Sequence, residues 1–131
     1  MVNRVLQPQE LEVFYVIPAL RREFALRLKK AGRTQKDIAK LLGVTDAAVS
    51  QYISSKRAAI VEFPPSITEE ISSSIKKLDS ELSFTREIQH LLRVTRHTRV
   101  ICQLHEKLGT APKGCTVCFD HEKDQGQVQR N

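Results

Sequence analysis

The chain has 131 residues, with 21 Lys and Arg against 15 Asp and Glu, 40% apolar and 27% charged. That length holds one core, or one small domain with an appended element, and excludes a large multidomain enzyme; five Phe, two Tyr and no Trp make the expected core mostly aliphatic, which suits helix-on-helix packing. The formal charge of +6 is unevenly spread, since residues 21–57 hold ten bases and three acids while 58–131 hold ten of each, a pattern that points to a polyanion-binding segment.

After Met1-Val2-Asn3-Arg4 the chain turns polar, so no secretory leader is expected. The longest nearly apolar run, residues 13–20, is eight residues long with Pro18 inside it, against the roughly 20 needed to cross a bilayer. A cytoplasmic location and no membrane partner follow as expectations. Residues 11–17 are compatible with a short strand or a short helix, and the bordering Pro8 and Pro18 favour the helix. Pro18 tolerates the first turn of a helix, and Leu20, Phe24, Ala25 and Leu28 then mark an amphipathic helix ending before Gly32. Thr34 is placed to cap a second helix, with Ile38, Ala39, Leu41 and Leu42 facing inward and Gly43 ending it. Thr45 is placed to cap a third, from Asp46 to about Ser54.

Past the Pro64-Pro65 break, Ser66-Ile67-Thr68-Glu69 has capping-box order, and Ile67, Ile71, Ile75, Leu78 and Leu82 predict one apolar stripe on one helix. The spacing of Ile88, Leu91, Leu92, Thr95, Ile101, Leu104 and Leu108 predicts a single long helix over 85–108, closed by Gly109. Residues 119–131 are too polar to order themselves and are expected to form a flexible tail.

The stretch from Gln35 to Ile53 carries the most specific pattern. Ala39 stands where two helices would cross closely, Gly43 stands in the turn, and Ile38, Leu42, Val44, Val49 and Tyr52 are apolar pins. Thr-Gln-x-x-Ile-Ala, then Gly-Val-Thr, then Val-Ser-Gln-Tyr and Lys-Arg, resembles the helix-turn-helix of the phage-repressor (XRE-like) class. With Pro18-Ala-Leu-Arg ahead of it and a Cys-bearing end behind, the chain looks like a group of predicted archaeal transcriptional regulators over about residues 8–118. The resemblance implies that the second helix of the motif enters the major groove of double-stranded DNA, presenting Thr45, Asp46, Ala47, Ala48, Ser50 and Gln51. In that arrangement Gln51 pairs with adenine, Ala47 or Ala48 touches a thymine methyl, and Ser50 bonds to base or phosphate. Gln35, Lys36, Lys56 and Arg57 contact the phosphate backbone and position the helix without reading sequence.

At the other end, Cys102 and His105 lie three apart on the long helix, and Cys115-Thr-Val-Cys118 follows the turn Pro112-Lys113-Gly114. Cys102, His105, Cys115 and Cys118 supply three sulfurs and one nitrogen, a set suited to Zn2+, with His121 as a spare ligand, and suited also to an iron–sulfur cluster with one His. A Cys115/Cys118 dithiol that oxidises reversibly, or a buried apolar Cys102 with two unremarkable thiols, are the other readings. His90 and His97 are expected on the surface, and Arg86, Arg93, Arg96 and Arg99 form a basic stripe that is either solvated or in contact with DNA.

The expected fold is all-α: a helix-turn-helix DNA-binding bundle at 1–63, a helical dimerisation and metal-binding segment at 64–118, and the tail. No nucleophile–base–acid order or phosphate loop is present, so no enzymatic activity is expected. A dimeric, sequence-specific transcription regulator is the leading expectation, since a lone helix-turn-helix reads few base pairs. A metal-stabilised nucleic-acid or protein adaptor, or a CxxC thiol redox protein, are the alternatives; the last needs its Cys pair within alternating strands and helices, a pattern the chain lacks.

Overall fold

A computed structural model describes residues 6–121, and every regular element in that range is helical. The chain opens with α1 (Pro8–Leu11), a π-helical turn (Glu12–Val16) and α2 (Ile17–Lys30), which run on from one another. Residues 11–17 are therefore helix, and the π turn has a local cause. Pro18 lacks an N–H, and its ring crowds the carbonyl four residues back, so the chain widens there and the Ile17 N–H reaches the Glu12 carbonyl.

α2 is the hub of the fold. Its buried residues Leu20, Phe24, Ala25 and Leu28 pack against α3 (Gln35–Leu42), α4 (Asp46–Ser54) and the short α5 (Lys56–Ala59) on one side. On the other side lie α6 (Pro65–Ile75) and α7 (Glu81–Arg96), where Phe24 meets Phe84 edge-on, with ring centroids 5.4 Å apart and an interplanar angle of 89°. The Pro64-Pro65 break thus turns the chain without dividing the packing, and helices from both sides of it share one core. α8 (Val100–Leu108) returns over α1 and buries Val100, Ile101 and Leu104.

The C-terminal half departs from the expected pattern in three places. α6 begins at Pro65 with Pro64 as its cap residue, so the Thr68 hydroxyl bonds to the Pro65 carbonyl and the anticipated capping box at Ser66 is not built. The helix stops at Ile75, because the box forms further on: the Ser80 hydroxyl accepts from the Ser83 N–H and the Ser83 hydroxyl from the Ser80 N–H, which starts α7 and leaves Leu82 81% exposed instead of on the α6 stripe. The long helix predicted over 85–108 is two helices. At the C-terminal end of α7 the Thr98 N–H and hydroxyl both bond to the Thr95 carbonyl, tightening the last turn, and the Thr98 hydroxyl oxygen accepts from the Val100 N–H to open α8.

Two acids are buried with partners. The Glu12 carboxylate takes a two-pronged bond from Arg96 (2.9 and 3.2 Å), tying the π turn to the end of α7 across 84 residues of chain. Glu87 accepts from the Ser74 hydroxyl (2.8 Å) and from Arg86 (2.8 Å), joining α6 to α7. The expected tail at 119–131 lies largely outside the described residues; within them, Val117–Phe119 forms a 3-10 turn. Among the described residues no helix is long and apolar enough to cross a membrane.

Candidate nucleic-acid interface

The two helices of the motif are set by local chemistry. Thr34 caps α3 by accepting from the Asp37 N–H, and Thr45 caps α4 by accepting from the Ala48 N–H, each at 3.1 Å. Between them Gly43 adopts φ 67° and ψ 34°, and the Val44 N–H closes back on the Ala39 carbonyl at 3.0 Å, the pattern in which a left-handed residue ends a helix. Ile38, Ala39, Leu42 and Val49 are buried, so the inward side of the motif is as the spacing predicts.

The outward side of α4 presents Thr45, Asp46, Ala47, Ser50 and Gln51, all exposed, with Ala48 half-buried behind them. Three clamps hold this face. Gln35, at the start of α3, donates through Nε2 to the Asp46 carbonyl at 2.8 Å and to the Ser50 hydroxyl at 2.7 Å. At the far end of α4, Arg21 stacks over the Tyr52 ring, 5.5 Å from its centroid, and donates to the Tyr52 hydroxyl at 3.1 Å. Arg22 donates through Nε to the Ile53 carbonyl at 3.1 Å, meeting one of the otherwise unpaired carbonyls at the helix C-terminus. Arg21 and Arg22, counted from sequence among the excess bases, therefore hold α4 from behind. Nothing in the residue order distinguishes them from phosphate-facing bases, since their partners lie 31 residues away in the chain.

Gln35 and Ser50 are thus brought together with each other, and the Gln35 amide nitrogen is engaged inside the motif. Lys36 is exposed beside it. Lys56 and Arg57 stand on their own short helix, because Ser55 adopts an extended conformation and its side chain caps α5 by accepting from the Ala58 N–H. Both are exposed, and the Arg57 guanidinium lies over the Tyr15 ring at 5.5 Å. The face of α4 is consequently flanked by bases at the α3 start and just beyond the α4 end.

The other candidate residues are placed differently from expectation. Cys102, His105, Cys115 and Cys118 are not gathered into a ligand set: among the described residues no group of three or more His, Cys, Asp or Glu converges as a metal site requires. The reason is visible at His105, which is buried and whose Nε2 bonds to the Leu6 carbonyl at 2.7 Å, directed to the chain start and not to the thiols. All three cysteines are free thiols. Burial pushes the half-buried Cys102 thiol up from its usual range; the Arg99 charge opposes this, while the nearby Cys118, Cys115 and Glu106 add to it. The arginine stripe is largely used within the fold: Arg86 bonds to Glu87 and the Lys77 carbonyl, Arg96 to Glu12, and Arg99 to the Cys115 carbonyl at 2.9 Å. His90 pairs with Glu70 at 3.0 Å, linking α7 to α6, and His97 is exposed.

A family model described as helix-turn-helix matches residues 25–59, from the middle of α2 through α5, which supports a helix-turn-helix of the phage-repressor class over that segment and points to a DNA-binding transcription regulator. The match stops short of the cysteine-bearing end. Comparison with curated proteins and with solved structures found no match.

Proposed function

We propose that the chain is a sequence-specific, DNA-binding transcription regulator that reads the major groove with α4 and binds its operator as a homodimer. The observation that carries this is the exposed polar face of α4, locked at both ends by Gln35, Arg21 and Arg22 and flanked by Lys36, Lys56 and Arg57. A rigid helix with short polar side chains at its N-terminal half can approach base edges closely, and bases beside it can neutralise the backbone. Gln51 is the residue with the reach and the paired donor and acceptor to recognise adenine, Ala47 offers a methyl contact to thymine, and Thr45, Asp46 and Ser50 bond to bases or phosphates at the helix start. Dimerisation is part of the proposal because one such helix covers too few base pairs for specificity. Zinc or iron–sulfur binding is not, because among the described residues no group of three or more His, Cys, Asp or Glu converges.

The test is selection of a preferred duplex from a random pool, followed by titration of wild type and Gln51→Ala on that duplex and on a scrambled one. Loss of about 1–3 kcal/mol on the preferred duplex with little change on the scrambled one is expected. Equal losses would remove Gln51 as a reader, and failure to enrich any duplex would overturn sequence-specific binding.

A further inference from the structure

The three cysteines, left without a shared ligand geometry, are nonetheless not equivalent. Cys102 on α8 and Cys118 on the 3-10 turn line one small, partly open cavity of about 160 Å3 together with Pro8, Ile101, Phe119, Arg96 and Thr98, and Cys115 does not line it. The segment carrying Cys118 is laid against α8 by two hydrogen bonds, from Arg99 to the Cys115 carbonyl (2.9 Å) and from the Gly114 N–H to Glu106 (2.8 Å). These fasten the turn at Gly114, φ 76°, and set Cys118 at the rim of that cavity, where it is exposed. From these observations we propose that Cys102 and Cys118 are a reversible oxidation site for hydroperoxides, closing an intrachain disulfide that bolts the cysteine segment to α8.

The chemistry divides between the two sulfurs according to their surroundings. Cys118 is exposed and meets the oxidant, whereas Cys102 is half-buried. The Cys118 thiolate attacks one peroxide oxygen, so that an S–O bond forms and the O–O bond breaks; the leaving oxygen takes up a proton and departs as water, or as an alcohol from an organic peroxide, and Cys118 becomes a sulfenic acid. The Cys102 sulfur then attacks the Cys118 sulfur, the S–S bond forms, the S–O bond breaks, and the hydroxide leaves as water with the Cys102 proton. Two thiols lose two electrons, which reduce the peroxide. A disulfide needs its Cβ atoms about 3.5–4.5 Å apart, so oxidation draws the Cys118 turn toward α8 across the shared cavity.

The full-length chain, reduced and then exposed to stoichiometric hydrogen peroxide, tests it through maleimide counting of thiols and non-reducing peptide mapping. The decisive variant is Cys115→Ser, a change outside the cavity that leaves only the proposed pair. Both remaining thiols are expected to disappear from the monomer, with a peptide linking positions 102 and 118, a mass lower by two hydrogen atoms, and full recovery of thiols with dithiothreitol. Survival of the two thiols, a link only between two chains, or a Cys118 sulfinic acid beside an unreacted Cys102 would overturn the proposal. So would a wild-type product joining Cys115 to Cys118 with Cys102 left reactive.

Discussion

The Gln35 side-chain amide bonds to the Ser50 hydroxyl at 2.7 Å, joining the first residue of α3 to the middle of α4 across 15 residues of chain. The two helices of the motif are therefore locked by a polar bridge on their exposed side as well as by Ala39 and Val49 beneath it. Because the same amide also bonds to the Asp46 carbonyl, Gln35 ties both the first turn of α4, which Thr45 caps, and the Ser50 hydroxyl to α3.

The bridge makes the effects of the two residues non-additive. In a double-mutant cycle of Gln35→Ala and Ser50→Ala, read by denaturant midpoints, we expect a coupling of about 0.5–1.5 kcal/mol, with the double variant little worse than Gln35→Ala alone. Strict additivity would mean that the bridge contributes nothing to the packing of α3 on α4.

Lys56 and Arg57 stand together on α5, exposed and just beyond α4. Replacing both with Ala should weaken binding to all duplexes alike and flatten the dependence of log K on log salt by about two units, one for each phosphate that is no longer neutralised. Arg57 also covers the Tyr15 ring, so Arg57→Gln should lose about one unit of that slope and part of the packing over the π turn, while Lys56→Gln should lose about one unit of slope alone. An unchanged salt slope in the double variant would place these bases away from the DNA.

Gly43 combines a left-handed backbone with a close neighbour, since a Cβ built on it would overlap the Glu81 carboxylate at the start of α7. The backbone conformation cannot be relaxed without unmaking the end of α3, whereas the Glu81 carboxylate sits at the end of an exposed, flexible side chain. Gly43→Ala should therefore destabilise the fold by about 1–2 kcal/mol, and Glu81→Ala should not rescue it. Full rescue would assign the cost to the overlap instead of the torsion.

Acid stability follows from Glu87. Burial alone would raise its carboxyl, but the hydrogen bonds from Arg86 and Ser74, with the Arg86 and Lys77 charges, outweigh it and hold the group below the usual carboxylate range. A carboxyl that titrates lower folded than unfolded stabilises fully above its unfolded value of about 4.3, and that stabilisation is lost as pH falls through the folded value. Glu87→Gln should lower stability at neutral pH and make the decline below about pH 4 shallower, as read from urea midpoints across that range. An acid limb as steep as that of wild type would show that other carboxylates carry it.

The elements legible in the sequence are those whose causes are local. Thr34 and Thr45 cap helices through N–H groups three residues on, Gly43 takes the left-handed turn that ends α3, and Ile38, Leu42 and Val49 fall on the inward side by helical spacing alone. The exposed face of α4, with Ser50 and Gln51 on it, followed from the same spacing, because the inward side of the helix leaves only one outward side. The tertiary structure decided what depends on partners far along the chain. Arg21 and Arg22 were ordinary basic residues until α4 came to lie against α2, and Glu12 and Arg96 meet only because the π turn is packed beside the end of α7. His105 and Cys102 share a ligand-like spacing of three, but the Leu6 carbonyl beside α8 takes the imidazole Nε2, and the last described turn sets Cys118 in the same small cavity as Cys102. Spacing sets which residues share a helix face, while the partner a buried polar group finds depends on which distant segment reaches it first.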